Sequence, residues 1–353
     1  MIRLLVPDMP TADELLPFLR QIDASKIYSN NGPLVRELED CLSDLVRAPT
    51  VAVSNGTAAL ELTLRALRLP RGSAVLVPAA TFVATGQAVS NAQLKPILCD
   101  VDSETWQLTP EGAIDAAQGW PIRAVIPVAS FGMPVGIDGW EHFARETRMP
   151  VVIDAAGAIA EQAVSTSSAL ITVFSLHATK FIGAGEGGAV STVDRFLLQR
   201  VAAMASFGHW GTNAKMSEYH AAVALASLSP QRMTDKLQRA GAVAKAYVAG
   251  LSALPRLKLQ RMPRADSTLL PVMLPPECSA DEVQRRLEAD GVQTKQWYRP
   301  FLEELQQFGG CPRPFKMPVT KMLRERMLGL PFHTGLTTDD VAHVCECLDK
   351  AMQ

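Results

Sequence analysis

Over its first two thirds the chain alternates short apolar runs with longer amphipathic segments, and this predicts an α/β fold with a mostly parallel central sheet covered by helices. Two further observations support that class. The apolar runs have strand length, and segments between several of them carry helical spacing. After about Ser229 the pattern changes to one long helix, then short strands, prolines and two amphipathic helices, which predicts a second, smaller α+β domain. The expected division is 1–232 for the large domain and 233–353 for the small one, linking helix included.

The candidate strands are Val51–Val53, Ala74–Val77, Pro96–Cys99, Ala124–Val128, Val151–Ile153, Leu170–Phe174 and Ala189–Thr192. After the first of them, Leu60, Leu64 and Leu67 recur at helical spacing within Ala58–Leu67. Ser217–Leu228 also reads as helical. Met233–Leu254 is a long helix that stops at Pro255, which can neither donate a backbone hydrogen bond nor continue the turn. The two amphipathic helices fall near Ala280–Asp290 and Thr338–Met352. Parallel sheets of this kind gather ligands at the carboxyl ends of their strands, so strand-end residues carry the functional reading.

Composition narrows the partners. Of 353 residues, 48% are apolar and 20% charged, with a net charge of −2, an ordinary profile for a soluble protein. There is no basic excess to hold nucleic acid and no polybasic run to hold a membrane surface. No uninterrupted apolar stretch has the length of a membrane span. Met1–Asp8 turns polar too soon for a secretion signal, so the expected location is the cytoplasm. The six cysteines, Cys41, Cys99, Cys278, Cys311, Cys345 and Cys347, have spacing that fits neither a zinc site nor a disulfide framework. Reduced thiols and no metal are expected.

The most informative stretch is Ser175-Leu176-His177-Ala178-Thr179-Lys180, placed between an apolar run and the glycine turn Gly183–Gly188. A lysine fixed there and partly desolvated can shed its proton and form a Schiff base with an aldehyde. Pyridoxal phosphate is such an aldehyde, and other strand ends supply what it needs. At Ser54-Asn55-Gly56-Thr57-Ala58 a strand ends, Gly56 turns the chain and a helix begins. A phosphate can sit on the free N–H groups of Thr57 and Ala58, with the Thr57 hydroxyl adding a donor. A plain helix cap by Ser54 or Thr57 is the competing reading. Asp154 stands where Val151-Val152-Ile153 stops, positioned to pair with a protonated pyridine nitrogen, or simply to start a turn. Ser175 can donate to the same phosphate. His177 either positions cofactor or substrate or is a satisfied structural residue. Phe82, after the strand Ala74–Val77, either lies on a cofactor ring or fills the core.

Gly183-Ala184-Gly185-Glu186-Gly187-Gly188 formally matches a dinucleotide fingerprint but is followed by a strand pattern where that motif requires a helix. A dehydrogenase reading therefore fails. The glycines let the chain turn closely beneath the lysine.

With these residues in order, the chain resembles the DegT/StrS-type sugar aminotransferases, a branch of the fold-type I pyridoxal phosphate enzymes. The likeness runs from Asn30-Asn31-Gly32-Pro33 to about Ala222 and is carried by Ser54–Leu60, Ile153–Ala156 and Ser175–Gly188. The resemblance implies that Lys180 links to the cofactor, Asp154 pairs with its ring nitrogen, and Thr57, Ala58 and Ser175 hold its phosphate. It further implies that Phe82 stacks on the ring and that Asn213, after the Gly208-His209-Trp210-Gly211 turn, reaches the phosphate of a neighbouring subunit in a homodimer with shared sites. The implied reaction moves an amino group from glutamate to a keto group of a nucleotide-linked deoxysugar, with Asn30–Pro33 pointing to C4.

Two departures stand near the cofactor. Gly157 replaces the family's Gln or His three positions after the strand-end Asp. The Asp154–Ser175 segment is also too short for an expected hairpin. Two alternatives are a sugar dehydratase on the same scaffold, disfavoured because such enzymes replace the lysine by histidine, and a pyridoxal phosphate-binding sensor or scaffold protein with little turnover.

Overall fold

The computed structural model describes residues 1–208, 211–313 and 316–353. Seven strands form one sheet: β1 (Thr50–Val53), β2 (Ala74–Pro78), β3 (Lys95–Cys99), β4 (Ile122–Val125), β5 (Val151–Asp154), β6 (Leu170–Ser175) and β7 (Gly188–Ser191). Their order is β1-β7-β6-β5-β4-β2-β3. The pairs β2–β3, β2–β4, β4–β5 and β5–β6 are parallel, while β7 runs against both β6 and β1. The expected mostly parallel sheet is present, with one reversed strand. β7 reverses because the chain reaches it from β6 through the glycine turn rather than through a helical crossover.

Successive residues of each strand point to opposite faces. Leu76, Val125, Ile153 and Phe174 enter one core with Leu38, Trp140 and Phe143 from the helices Pro33–Val46 and Ile137–Thr147. Val77, Ala124, Val152 and Val173 enter the other with Leu64, Val89 and Val201 from the helices Gly56–Ala66, Val83–Asn91 and Arg195–Ala205. Both faces are covered, which is why the strands read as continuous apolar runs.

β4 starts earlier and stops sooner than the run Ala124–Val128 suggests. Pro127 has no N–H for the ladder, and the chain rejoins the sheet only at Val128, opposite Asp154. No strand lies between Asp154 and Leu170, in line with the short segment seen in sequence.

A separate antiparallel sheet has the order β10-β9-β8, from β8 (Lys258–Leu259), β9 (Leu270–Met273) and β10 (Met327–Leu330). The helices Pro230–Ser252, Ala280–Ala289 and Thr338–Ala351 pack here through Tyr247, Leu287 and Leu348. The N-terminal segment joins this unit. The Ile2 N–H donates to the Gly291 carbonyl at 2.7 Å, and the Phe332 N–H donates to that of Leu4 at 3.1 Å. A fourth apolar cluster bridges the two units, with Trp106 and Phe131 meeting Met273, Phe301 and Met327.

Within the second unit, the helix Pro318–Arg326 has no counterpart in the sequence reading. Its cap is not local. The Asp100 carboxylate, just past β3, accepts from the N–H groups of Val319 at 2.9 Å and Thr320 at 2.7 Å. The carboxylate also sits at the positive end of the helix dipole.

Among the described residues no helix is long and apolar enough to cross a membrane, and the six cysteines are free thiols.

The start of β7 imposes the tightest packing. A Cβ on Gly188 would lie 2.4 Å from the carbonyl carbon and oxygen of Asn55, both backbone atoms. Gly188→Ala is therefore expected to cost about 1–3 kcal/mol as an overpacked core site. A thermal melt should show a lower midpoint, and the helix start at Gly56 should be displaced. An unchanged midpoint would show that the Asn55–Gly56 peptide moves freely.

Candidate active site

Asp154 ends β5 and is only 5% exposed. It follows three apolar strand residues, so the strand carries the carboxylate to the sheet's carboxyl edge. The Thr85 hydroxyl donates to its Oδ2 at 2.8 Å, and the Ala156 N–H donates to its Oδ1 at 3.2 Å. Thr81 lies 3.0 Å from Thr85, hydroxyl to hydroxyl. Burial pushes the Asp154 carboxyl up, against the pull of Thr85, Ala156 and the charge of Lys180.

Lys180 follows the end of β6, in a turn closed by its own N–H on the His177 carbonyl at 2.8 Å. The next turn is fixed by main-chain bonds from Ala178 to Gly185 and from Ala184 to Leu176, with Gly185 at φ +83. Burial pushes the Lys180 ammonium down, and Asp154 is the opposing charge. Both groups are thus driven toward their neutral forms. Among the described residues, no group accepts a hydrogen bond from the Lys180 amino group.

The helix Gly56–Ala66 begins against Ser175. A Cβ on Gly56 would lie 3.0 Å from the Ser175 Cβ. Strand end, helix start and Ser175 therefore converge. The cap is neither Ser54 nor Thr57. Asn55 caps the helix, its side-chain oxygen accepting from the Ala58 N–H at 2.8 Å. The Ala58 N–H thus has a partner in Asn55, and the first-turn N–H groups without an internal helical partner are those of Gly56 and Thr57. The sequence contained the better cap, since Asn ranks with Asp and Ser at this position.

Phe82 is 60% exposed, which rules out the core reading. It caps the helix Val83–Asn91, whose residue Thr85 holds Asp154, so its ring stands at the same edge. His177 keeps to its own turn, with Nδ1 2.9 Å from the Thr179 hydroxyl and Nε2 3.9 Å from Glu186. Asn213 is exposed, in a segment tied to β1 by a 2.8 Å bond from the Ser54 N–H to the Ala214 carbonyl. Of the turn expected before it, His209 and Trp210 lie outside the described residues. Gly157 packs against Gly132, whose own Cβ would fall 2.9 Å from the Gly157 carbonyl.

Three neighbours of Asp154 were not singled out from sequence. Thr81 and Thr85 carry a faint signal, two threonines one helical turn apart at a strand end. Tyr298 carries none, because the second unit brings it there. Its ring stacks on Phe131 at 4.9 Å, and both residues adopt the left-handed conformation, with φ +63 and +57. Such conformations in bulky residues need the surroundings to enforce them. Burial and the Asp154 charge push the Tyr298 phenol up, partly offset by a hydrogen bond with the Phe131 backbone.

A buried strand-end acid, a desolvated lysine, an exposed aromatic ring and a helix start with free N–H groups define a fold-type I pyridoxal phosphate enzyme of the aminotransferase class. The match to known proteins makes the assignment specific. The model of the DegT/DnrJ/EryC1/StrS aminotransferase family matches residues 11–349, and the chain belongs to that family. It is an aminotransferase, and its cofactor is pyridoxal phosphate. The chain is similar to the UDP-N-acetyl-3-dehydro-alpha-D-glucosamine 3-aminotransferase of Acidithiobacillus ferrooxidans, at 29% identity over 97% of this chain and 95% of that protein. It is also similar to the dTDP-4-amino-4,6-dideoxy-D-glucose transaminase of Shigella dysenteriae, at 24% identity over 96% and 95%. Among solved structures, DesI in the presence of its TDP-sugar product has a TM-score of 0.90 at 31% identity, over 100% of this chain and 93% of that one.

Thr85→Val keeps the shape of the side chain but removes a hydrogen bond to a buried carboxylate, an interaction worth about 1.5–3 kcal/mol. Amino transfer is expected to fall about 10- to 100-fold while the cofactor stays bound. Steady-state turnover and the absorbance of the bound cofactor check this. Turnover equal to the parent would make Thr85 a packing residue only.

Proposed function

We propose that the chain moves an amino group from glutamate to a keto group on a nucleotide-linked sugar, making an amino sugar. The observation that carries the reading is Lys180 and Asp154 together: a buried carboxylate ending β5 and a part-buried lysine in the turn after β6, each group's charge acting on the other while burial pushes the carboxyl up and the ammonium down. The nucleotide-sugar acceptor is supported by the names of the two similar proteins, one acting at position 3 and the other at position 4 of its sugar. Asn30–Pro33 favours C4 within this reading.

Pyridoxal phosphate, when bound, supplies an electron sink for the amino-bearing carbon. The chain's own residues would divide the remaining work. Lys180 holds the cofactor covalently and, being desolvated, can take up and return a proton at Nζ. Asp154 keeps the ring nitrogen charged, and Thr85 keeps Oδ2 aimed. The N–H groups of Gly56 and Thr57, with the hydroxyls of Thr57 and Ser175, would hold the phosphate at the positive end of a helix. Phe82 covers a ring face. The large domain 1–232 would carry this machinery, and the small domain 233–353 would close it with Tyr298.

The active unit in this proposal is a homodimer with shared sites. Exposed aromatic surface supports it. Tyr28 and Tyr219 stack at 6.3 Å while each is about half exposed, and Phe207 is 66% exposed. Asn213 would reach the neighbouring phosphate.

Borohydride reduction of the loaded protein should fix the cofactor to the peptide containing Lys180, and Lys180→Ala should abolish transfer. Peptide mapping decides: a label on another lysine, or none, would refute the assignment. A panel of nucleotide-linked keto sugars with glutamate then tests acceptor and donor.

The shared site has its own test. Asn213→Ala and Lys180→Ala proteins should each be weak or inactive alone and should recover activity when mixed under conditions of subunit exchange. One of the two sites in the mixed dimer then holds both native residues. No recovery despite demonstrated exchange would place Asn213 in its own subunit's site or outside the site altogether.

A further inference from the structure

A small cavity of about 50 Å³ lies between the two units, lined by Lys180 and Thr179 on one side and by Asp8, Lys236, Ser267, Thr268 and Thr334 on the other. The proposed reaction gives Lys236 no role, yet its electrostatics are incomplete. Its amino group donates to the Phe181 carbonyl at 2.7 Å, and among the described residues no carboxylate lies within ion-pair distance of it. Asp8 is the nearest candidate, but its oxygens are taken. Arg232 binds Oδ1 at 2.5 Å, while Arg239 and the Thr334 hydroxyl both bind Oδ2 at 2.9 Å. Burial pushes the Lys236 ammonium down to about 8, and Arg232 and Arg239 push the same way against Asp8. The ammonium also stands 5.3 Å over the Phe181 ring and feels the Asp8 charge at longer range, but among the described residues it has no carboxylate in direct contact, and a part-buried ammonium with spare N–H donors favours the arrival of an anion.

Hydroxyl donors complete the wall. Ser267 is buried, and its oxygen accepts from the Arg264 N–H at 3.0 Å, leaving its proton free to donate. The Thr268 hydroxyl lies 3.8 Å from the point a Gly132 Cβ would occupy, so this wall extends to the Gly132–Gly157 contact near Asp154. The cavity thus runs from Lys180 to an ammonium without a direct carboxylate partner. Its volume suits a carboxylate better than a whole nucleotide, since sites for drug-sized ligands take roughly 300–1,000 Å³.

We propose that this cavity is the subsite for the far carboxylate of a dicarboxylic amino donor, with Lys236 as its charge partner and Ser267 and Thr268 as hydrogen-bond donors. The inference rests on the aminotransfer reading above and adds the residues that select the donor.

The test uses the loaded protein and two amino acids, glutamate and alanine, followed by the change in cofactor absorbance when each donates its amino group. Lys236→Met should lower the glutamate-over-alanine ratio of kcat/KM at least tenfold, the scale of a charge-assisted hydrogen bond. Calorimetric titration gives a second readout. Glutarate, which has the second carboxylate but no amino group, should bind Lys236→Met at least tenfold more weakly than the parent, while butyrate should bind both alike. Thr268→Val, a near-isosteric change, should lower the same ratio several-fold and covers the case in which the lysine variant does not fold. An unaltered ratio and unaltered glutarate affinity in a folded variant would overturn the proposal. If no amino acid converts the parent's cofactor, the aminotransfer reading itself fails, and glutarate titration still decides whether Lys236 holds a carboxylate.

Discussion

The site depends on three stretches of backbone meeting at one point with no side chains between them. β1 runs into the Asn55–Gly56 peptide, β7 begins at Gly188 beneath it, and β6 ends at Ser175 beside it. Only glycine at 188 permits that approach, since the nearest atoms are the Asn55 carbonyl at 2.4 Å and the Gly56 nitrogen at 2.7 Å from any added Cβ. The consequences spread outward. The helix Gly56–Ala66 points its N-terminus at the sheet edge, Ser175 is held against it, and the turn that follows places Lys180. A close backbone contact thereby sets the positions of the helix start and of Lys180 together.

Electrostatics then differentiates what packing has assembled. Asp154 ends β5, Lys180 lies in the turn that follows the neighbouring parallel strand β6, and each opposes the other's displacement, yet desolvation dominates for both. Neither is satisfied as an isolated ion. In the proposed reading, a cofactor bearing a ring cation for one and an aldehyde for the other would answer both demands. Thr85 and Ala156 fix the carboxylate's orientation, which burial alone would not.

The second unit is more than a cover. It delivers Tyr298 to the Asp154 side and joins the large sheet through Trp106, Phe131, Phe301 and Met327. It also receives a helix cap from Asp100. The N-terminal segment crosses to it and brings Asp8 into the cluster with Arg232 and Arg239. Apolar contact, aromatic stacking and charge therefore tie the two units together around the site.

Much of this was legible in the sequence, for local reasons. Strand-length apolar runs gave the sheet because both of its faces are covered, and the strand pattern after Gly188 separated the glycine turn from a dinucleotide motif. Lys180, Asp154, Gly56 and Ser175 stood out because strand ends in such sheets face ligands. What remained hidden arose from contacts distant along the chain or from competition between neighbours. Asn55 outcompeted Ser54 and Thr57 for the cap and thereby occupied the Ala58 N–H. Phe82 was equally compatible with core and surface until the fold left it exposed. Thr85, Tyr298 and Lys236 are separated from their partners by anything from 55 to about 170 residues, and no periodicity encodes such pairings. The sequence by itself determined the element types and the chemistry at each strand end, since both follow from near neighbours. Only the tertiary structure decided which of those groups meet and which protonation their burial favours, because desolvation and packing belong to the assembled chain.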